Sequence, residues 1–192
     1  MSIGMLRYIT RSRLAFILFL ISLYPIRLGA QSLQGDPSGY VDFSEFEERF
    51  GTEASLEVDI RGQMLQLVAE ASREEDPELA ELLDRLEAIQ VRGFPMLRSQ
   101  FRRMESHSRA LADQLENEGW NTVVKLRDYG QYVDVYAKEN ESSIEGLMMM
   151  VVDTELGETV LINIVGSMQA EELGRIGNRF NIAPLEEVMG DQ

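Results

Sequence analysis

Residues 146–168 read GLMMMVVDTELGETVLINIVGSM, and the fold turns on what this stretch forms. GLMMMVVD and ETVLINIV are two extended apolar runs around a turn-rich centre, the pattern of a β-hairpin. With a five-residue loop from Thr154 to Glu158, Val152 pairs with Val160, Met150 with Ile162 and Met148 with Ile164. Those six are all apolar and are expected to face helices. Leu147, Met149, Val151, Leu161, Asn163 and Val165 then occupy the opposite face, so the hairpin is greasy on both sides.

Upstream, NTVVKLRD and QYVDVYAKE are two more extended runs, set apart by DYG and ENESS. Four such runs in succession predict a sequential antiparallel meander. QYVDVYAKE sets Val133, Val135 and Ala137 against Tyr132, Asp134 and Tyr136. The valines are expected toward the helices and the tyrosines toward the far side. A far face of Tyr132, Tyr136, Met149, Val151 and Asn163 has the mixed character of a contact surface, so these five are candidate partner-binding residues. Its cover is either the chain's own Phe43–Phe46–Phe50 helix or a second molecule.

The remaining elements follow from local signals. Tyr40, Phe43, Phe46 and Phe50 form an aromatic stripe on a short helix, read as a packing face. SLEVDI alternates strictly and predicts a strand with one wet face. Helical spacing begins again at Met64, Leu65, Leu67 and Val68. Asp76 followed by Pro77 marks the start of a helix through ELAELLDRLEAI, and IQVRGF is a strand ended by Pro95. The longest helix is expected from Leu97 to Glu118, stopping at Gly119, with Ser108 filling one turn of its apolar line. A last helix is expected from Gln169 to Phe180. The sum is an α+β fold: a mostly antiparallel sheet of about six strands ending in the four-strand meander, with helices packed mainly on one face.

The chain begins with Arg7, Arg11 and Arg13, then LAFILFLISLY, Pro25 and the small pair Gly29–Ala30. That order predicts a signal peptide over residues 1–30, with an uncleaved membrane anchor as the alternative. The apolar run of eleven residues is short against the roughly 20 that span a bilayer. A flexible leader over 31–42, a single domain over 43–182 and an acidic tail over 183–192 complete the expected organisation. The whole chain has a formal charge of −15, and removal of residues 1–30, with four arginines and no acid, leaves −19. So acidic a product argues against nucleic acid or anionic lipid as partner. There is no cysteine, hence no disulfide, no thiol chemistry and no lipid-modified cysteine.

GWNTVVKLRDYGQYVDVYAKE, IEGLMMMVVD and VLINIVGSM followed by EELGRIG, with DPELAELLDRLEAIQV upstream, resemble the bacterial domain-of-unknown-function family 4252. The likeness covers roughly residues 45 to 182. It implies an exported bacterial envelope protein, periplasmic or extracellular, with a compact α+β domain. It carries no catalytic or binding residue across.

Motifs for chemistry are sparse. His107 is the only histidine; it sits in mid-helix, and the serines beside it in sequence point away from it. No nucleophile elbow, zinc set, calcium loop or phosphate loop is present in the sequence. Paired carboxylates for hydrolysis are available to any chain with 33 acids and have no specificity. No cofactor or metal is expected. The one departure from an acidic background is basic: Arg98, Arg102 and Arg109 share a helix face. They form either an anion-binding cluster or local charge balance. The expected function is a non-enzymatic exported interaction module, with a partner or a second copy on the far sheet face. The alternatives are a small hydrolase using a carboxylate pair, or a membrane-tethered accessory protein.

Overall fold

The computed structural model describes residues 37–96, 98–128, 130–169 and Glu172, without the side chains of residues 45, 47, 49, 98 and 101–105. These lie in one compact unit. The expected signal peptide, the first part of the leader, the C-terminal helix beyond Glu172 and the acidic tail lie outside the described residues.

The elements run α1 (Ser44–Phe50), β1 (Leu56–Arg61), α2 (Gln63–Ser72), α3 (Pro77–Leu83), β2 (Leu86–Pro95), a 3-10 turn (Arg98–Gln100), α4 (Phe101–Asn117), β3 (Asn121–Asp128), β4 (Gln131–Glu139), β5 (Ile144–Asp153) and β6 (Glu158–Met168). The strands form a single antiparallel sheet in the order β1-β2-β6-β5-β4-β3. The meander is therefore present, and it joins β1–β2 through β6.

Helix ends follow the local chemistry. The Asp76 carboxylate accepts a hydrogen bond from the Leu79 N–H at 3.0 Å, with Pro77 in the first turn of α3. That satisfies a donor left over by the helix start, and Pro77 has none to lose. α4 ends with Gly119 at φ 84, the Gly119 N–H on the Glu116 carbonyl and the Trp120 N–H on that of Leu115. This double bond pattern needs a left-handed residue, and it places Trp120 beside Leu115 in the core. α3 stops well before the expected Ile89. Leu86 to Ile89 belong to β2 instead, where Ala88 and Ile89 pair with Val165 and Ile164. Tertiary pairing outweighs the helical spacing there.

The β5–β6 connection is one residue shorter than expected. The Asp153 side chain accepts from the Glu155 and Leu156 N–H groups, and the Gly157 N–H bonds to the Asp153 carbonyl. Asp153 therefore pairs with Glu158, and the loop is Thr154–Gly157. The pairs become Val152–Thr159, Met150–Leu161 and Met148–Asn163. A slip of one residue exchanges the two faces of a strand, so β6 is turned over relative to the expectation. β4 is likewise reversed, because Tyr136 pairs with Met148 and Asp134 with Met150.

Both faces are thus apolar, and both carry helices, not mainly one. On the first, Phe43 together with Phe46 and Phe50 of α1 and Leu111 and Leu115 of α4 packs against Tyr136, Met148, Met150, Val152 and Leu161. Phe50 meets Phe94 edge-on at 4.7 Å between ring centres. On the second, α3 supplies Leu82 to a cluster with Val133, Val135, Leu147, Met149 and Ile164. Leu65 and Ala69 of α2 pack with Leu83, Ile60 and Ile89. A sheet with two greasy faces needs cover on each.

Candidate functional site: a sealed polar cluster and an exposed helix face

The expected contact surface does not exist as one face. Tyr132, Tyr136 and Asn163 lie on the α1–α4 side, while Met149 and Val151 lie on the other. Tyr136, Met149 and Asn163 are buried and Val151 is half-buried. Of the five, Tyr132 alone stands among the exposed large apolar side chains. The aromatic helix supplies the cover on the first side, through Phe43, Phe46 and Phe50. Arg98 falls in the 3-10 turn, with Arg102 and Arg109 in α4; Arg109 is exposed.

Asn163 has a structural task. Its side-chain carbonyl accepts from the Val41 N–H at 2.9 Å, and its amide donates to the Gly39 and Leu147 carbonyls at 2.9 and 3.2 Å. From Pro37 onward the expected flexible leader is therefore held against the sheet. The approach is close: a Cβ on Gly146 would lie 2.4 Å from the Gly39 Cα. Three hydrogen bonds to a buried amide account for an Asn in the middle of an apolar strand.

The strongest polar cluster is one that sequence reasoning missed. Asp134 is fully buried, yet Ser108 of α4 donates to its Oδ2 at 2.5 Å and Arg127 of β3 reaches it at 2.6 and 2.9 Å. The Arg127 guanidinium also lies 5.4 Å over the Tyr132 ring. Bonding to Asp134 raises the guanidinium pKa above its ordinary value. Next to this trio, the Tyr136 hydroxyl is buried beside Ser108 without a hydrogen bond of good geometry among the described residues. Burial, then the Asp134 charge, pushes the phenol well above its usual value of 10. Ser108, noted only as a gap in an apolar line, is thus the α4 half of a lock. The sequence signal was the charge of Asp134 alternating with two tyrosines.

Within this lock the Asp134 charge is met by the Arg127 guanidinium, and the Ser108 hydroxyl donates to the same carboxylate. His107, one residue from Ser108, packs edge-on to Phe50 at 5.8 Å. No group of three or more metal-ligating side chains occurs among the described residues.

The accessible apolar surface lies elsewhere, on α2. Leu65 and Ala69 point into the core, and the opposite stripe of Met64, Leu67, Val68 and Ala71 is exposed. Leu67 is 64% accessible, Met64 48% and Val68 37%. The periodic spacing at Met64 to Val68 was legible in the sequence, but it marks a helix with apolar residues on both sides. The segment that follows is acidic. Between Gln63 and Glu87 there are eight carboxylates and two arginines. Arg73 is paired with Glu70 at 2.9 Å and Asp84 at 3.0 Å, and Arg85 with Glu172.

Comparison with known proteins gives a family without a described activity. Residues 47–176 match the model of the domain of unknown function DUF4252. No curated protein matches. Among solved structures, the Ran-binding protein Mog1p of Saccharomyces cerevisiae is similar at 12% identity and a TM-score of 0.26, covering 54% of this chain and 63% of that one. The chain belongs to the DUF4252 family.

Proposed function

We propose that this DUF4252 chain is a non-enzymatic, exported interaction module that binds a protein partner through the outer face of α2. One observation carries the reading: Met64, Leu67 and Val68 stand exposed on one helix face, three of the five exposed large apolar side chains among the described residues. A contiguous apolar stripe open to water marks a contact site far more often than scattered single residues do. The sheet faces offer no such surface, because their apolar residues are core. The carboxylate-pair hydrolase draws no support from Asp134, whose charge is already spent on Arg127 and Ser108.

Export rests on the basic N-terminus and the short apolar run ended by Pro25. Among the described residues no helix is long and apolar enough to cross a membrane. N-terminal sequencing of the expressed protein is expected to begin near Gln31; an intact Met1 on membrane-bound material overturns export. For the binding face, Leu67→Gln with Val68→Gln is compared with the unaltered protein in pull-downs from the envelope fraction of its own organism. Loss of a partner by a variant that melts normally supports the reading. An unchanged set of partners overturns it.

A further inference from the structure

We infer that the occupant of the α2 face is a basic amphipathic helix of a partner protein. This rests on the reading of α2 as the docking face and adds the chemistry of what docks there.

Met64, Leu67, Val68 and Ala71 fall at i, i+3, i+4 and i+7, the seam by which one helix packs along another. The seam is about 10 Å long at 1.5 Å per residue, so it offers two turns of contact and matches a partner helix with a similar short apolar stripe. It is a ridge on a helix whose Leu65 and Ala69 are packed against Leu83 of α3.

Charge selects among helices of that kind. Glu70, Glu74, Glu75, Glu78, Glu81, Asp84 and Glu87 are all exposed along the α2–α3 hairpin and the start of β2. The two arginines in the same stretch are already committed to Glu70, Asp84 and Glu172. A partner helix flanked by Lys or Arg meets opposite charge on its way in, whereas an acidic one is repelled. A second copy of this chain would bring the same surplus of six negative charges to the contact, and an anionic membrane surface is repelled for the same reason. The partner is therefore apolar at the centre and basic at the rim.

The test uses the purified protein and two synthetic helices. One is a Leu/Lys peptide with leucines at the same four spacings, and the other is its Glu-for-Lys analogue. Binding is followed by anisotropy at low and at physiological salt, and by amide shifts in labelled protein. The Leu/Lys peptide is expected to move the amides of Gln63–Ser72 and to bind several-fold more weakly at the higher salt. It should bind about tenfold more weakly to Leu67→Gln, the loss of a well-packed apolar side chain being of that order. The Glu analogue should not bind. Equal binding of the two peptides overturns the basic partner and leaves the docking face standing. Lys-peptide binding that is spread over the acidic surface and indifferent to Leu67→Gln overturns both. A concentration-dependent dimer that Leu67→Gln abolishes makes a second copy the occupant and overturns the inference. Failure of both peptides, with envelope partners unaffected by Leu67→Gln, overturns the face itself.

Discussion

Asp134 stands on β4 between Tyr132 and Tyr136 and is the one charged side chain with no accessible surface among the described residues. A buried carboxylate is tolerable only when its charge is met, and Arg127 from the next strand and Ser108 from α4 meet it. Asp134→Asn should cost about 1–3 kcal/mol, less than a fully buried pair because Arg127 is partly exposed and regains water; urea unfolding measures it. Tyr136→Phe should behave in the opposite way. Its hydroxyl is buried without a hydrogen bond of good geometry among the described residues, so removing it should leave stability at neutral pH within about 1 kcal/mol or slightly improve it. The pH dependence has a definite sign. A phenol whose folded pKa is raised contributes stability that is complete below its unfolded value near 10 and is lost as pH rises toward the folded value. The Phe variant should therefore lose less stability than the parent above pH 10. A steeper alkaline loss in the variant would refute the assignment. Asn163→Ala removes the partners of the Val41 N–H and the Gly39 carbonyl and should cost about 2–4 kcal/mol.

At the scale of elements, caps and turns set what the strands and helices do. Asp76→Ala should lower stability by about 1 kcal/mol, the usual worth of an N-cap, without altering the far parts of the sheet. Gly146→Ala is of another kind. Its Cβ would meet the Gly39 backbone and the Trp120 ring, so the segment from Pro37 to Val41 should be expelled from the sheet. Limited proteolysis is expected to cut this segment in the variant and spare it in the parent. The Asp153 turn governs a larger consequence. Because its side chain closes a four-residue loop, β6 takes the register that sends Asn163 toward α1 and Ile164 away from it.

Across the whole molecule, two clusters of buried side chains sit on opposite faces of one sheet. Met149→Glu with Tyr136→Glu places a charge in each, where isolated ionised carboxylates are strongly disfavoured. The double variant should not fold, and thermal melting should show no cooperative transition. A cooperative melt with loss of a partner would instead restore the sheet as an interface. Leu67→Gln, on the α2 surface, should melt as the parent does, since its side chain is mostly in water already.

Much of this fold was legible along the chain. Strict alternation in Leu56–Ile60, Asp76–Pro77 at a helix start, Gly119 at a helix end and four apolar runs in series are local signals, each readable from a few neighbouring residues. Membership of the family was legible in the same way. What depended on distance was not. The pairing of β2 with β6 joins residues far apart in sequence, and one residue in a turn decided which face of β6 each side chain joined. Period-two alternation says that residues separate onto two faces but not which faces meet across strands. The lock of Ser108, Arg127 and Asp134 comes from three elements and has no local signature. Composition, caps and periodicity determined the elements; the tertiary structure decided register, burial and therefore which apolar residues remain on the surface.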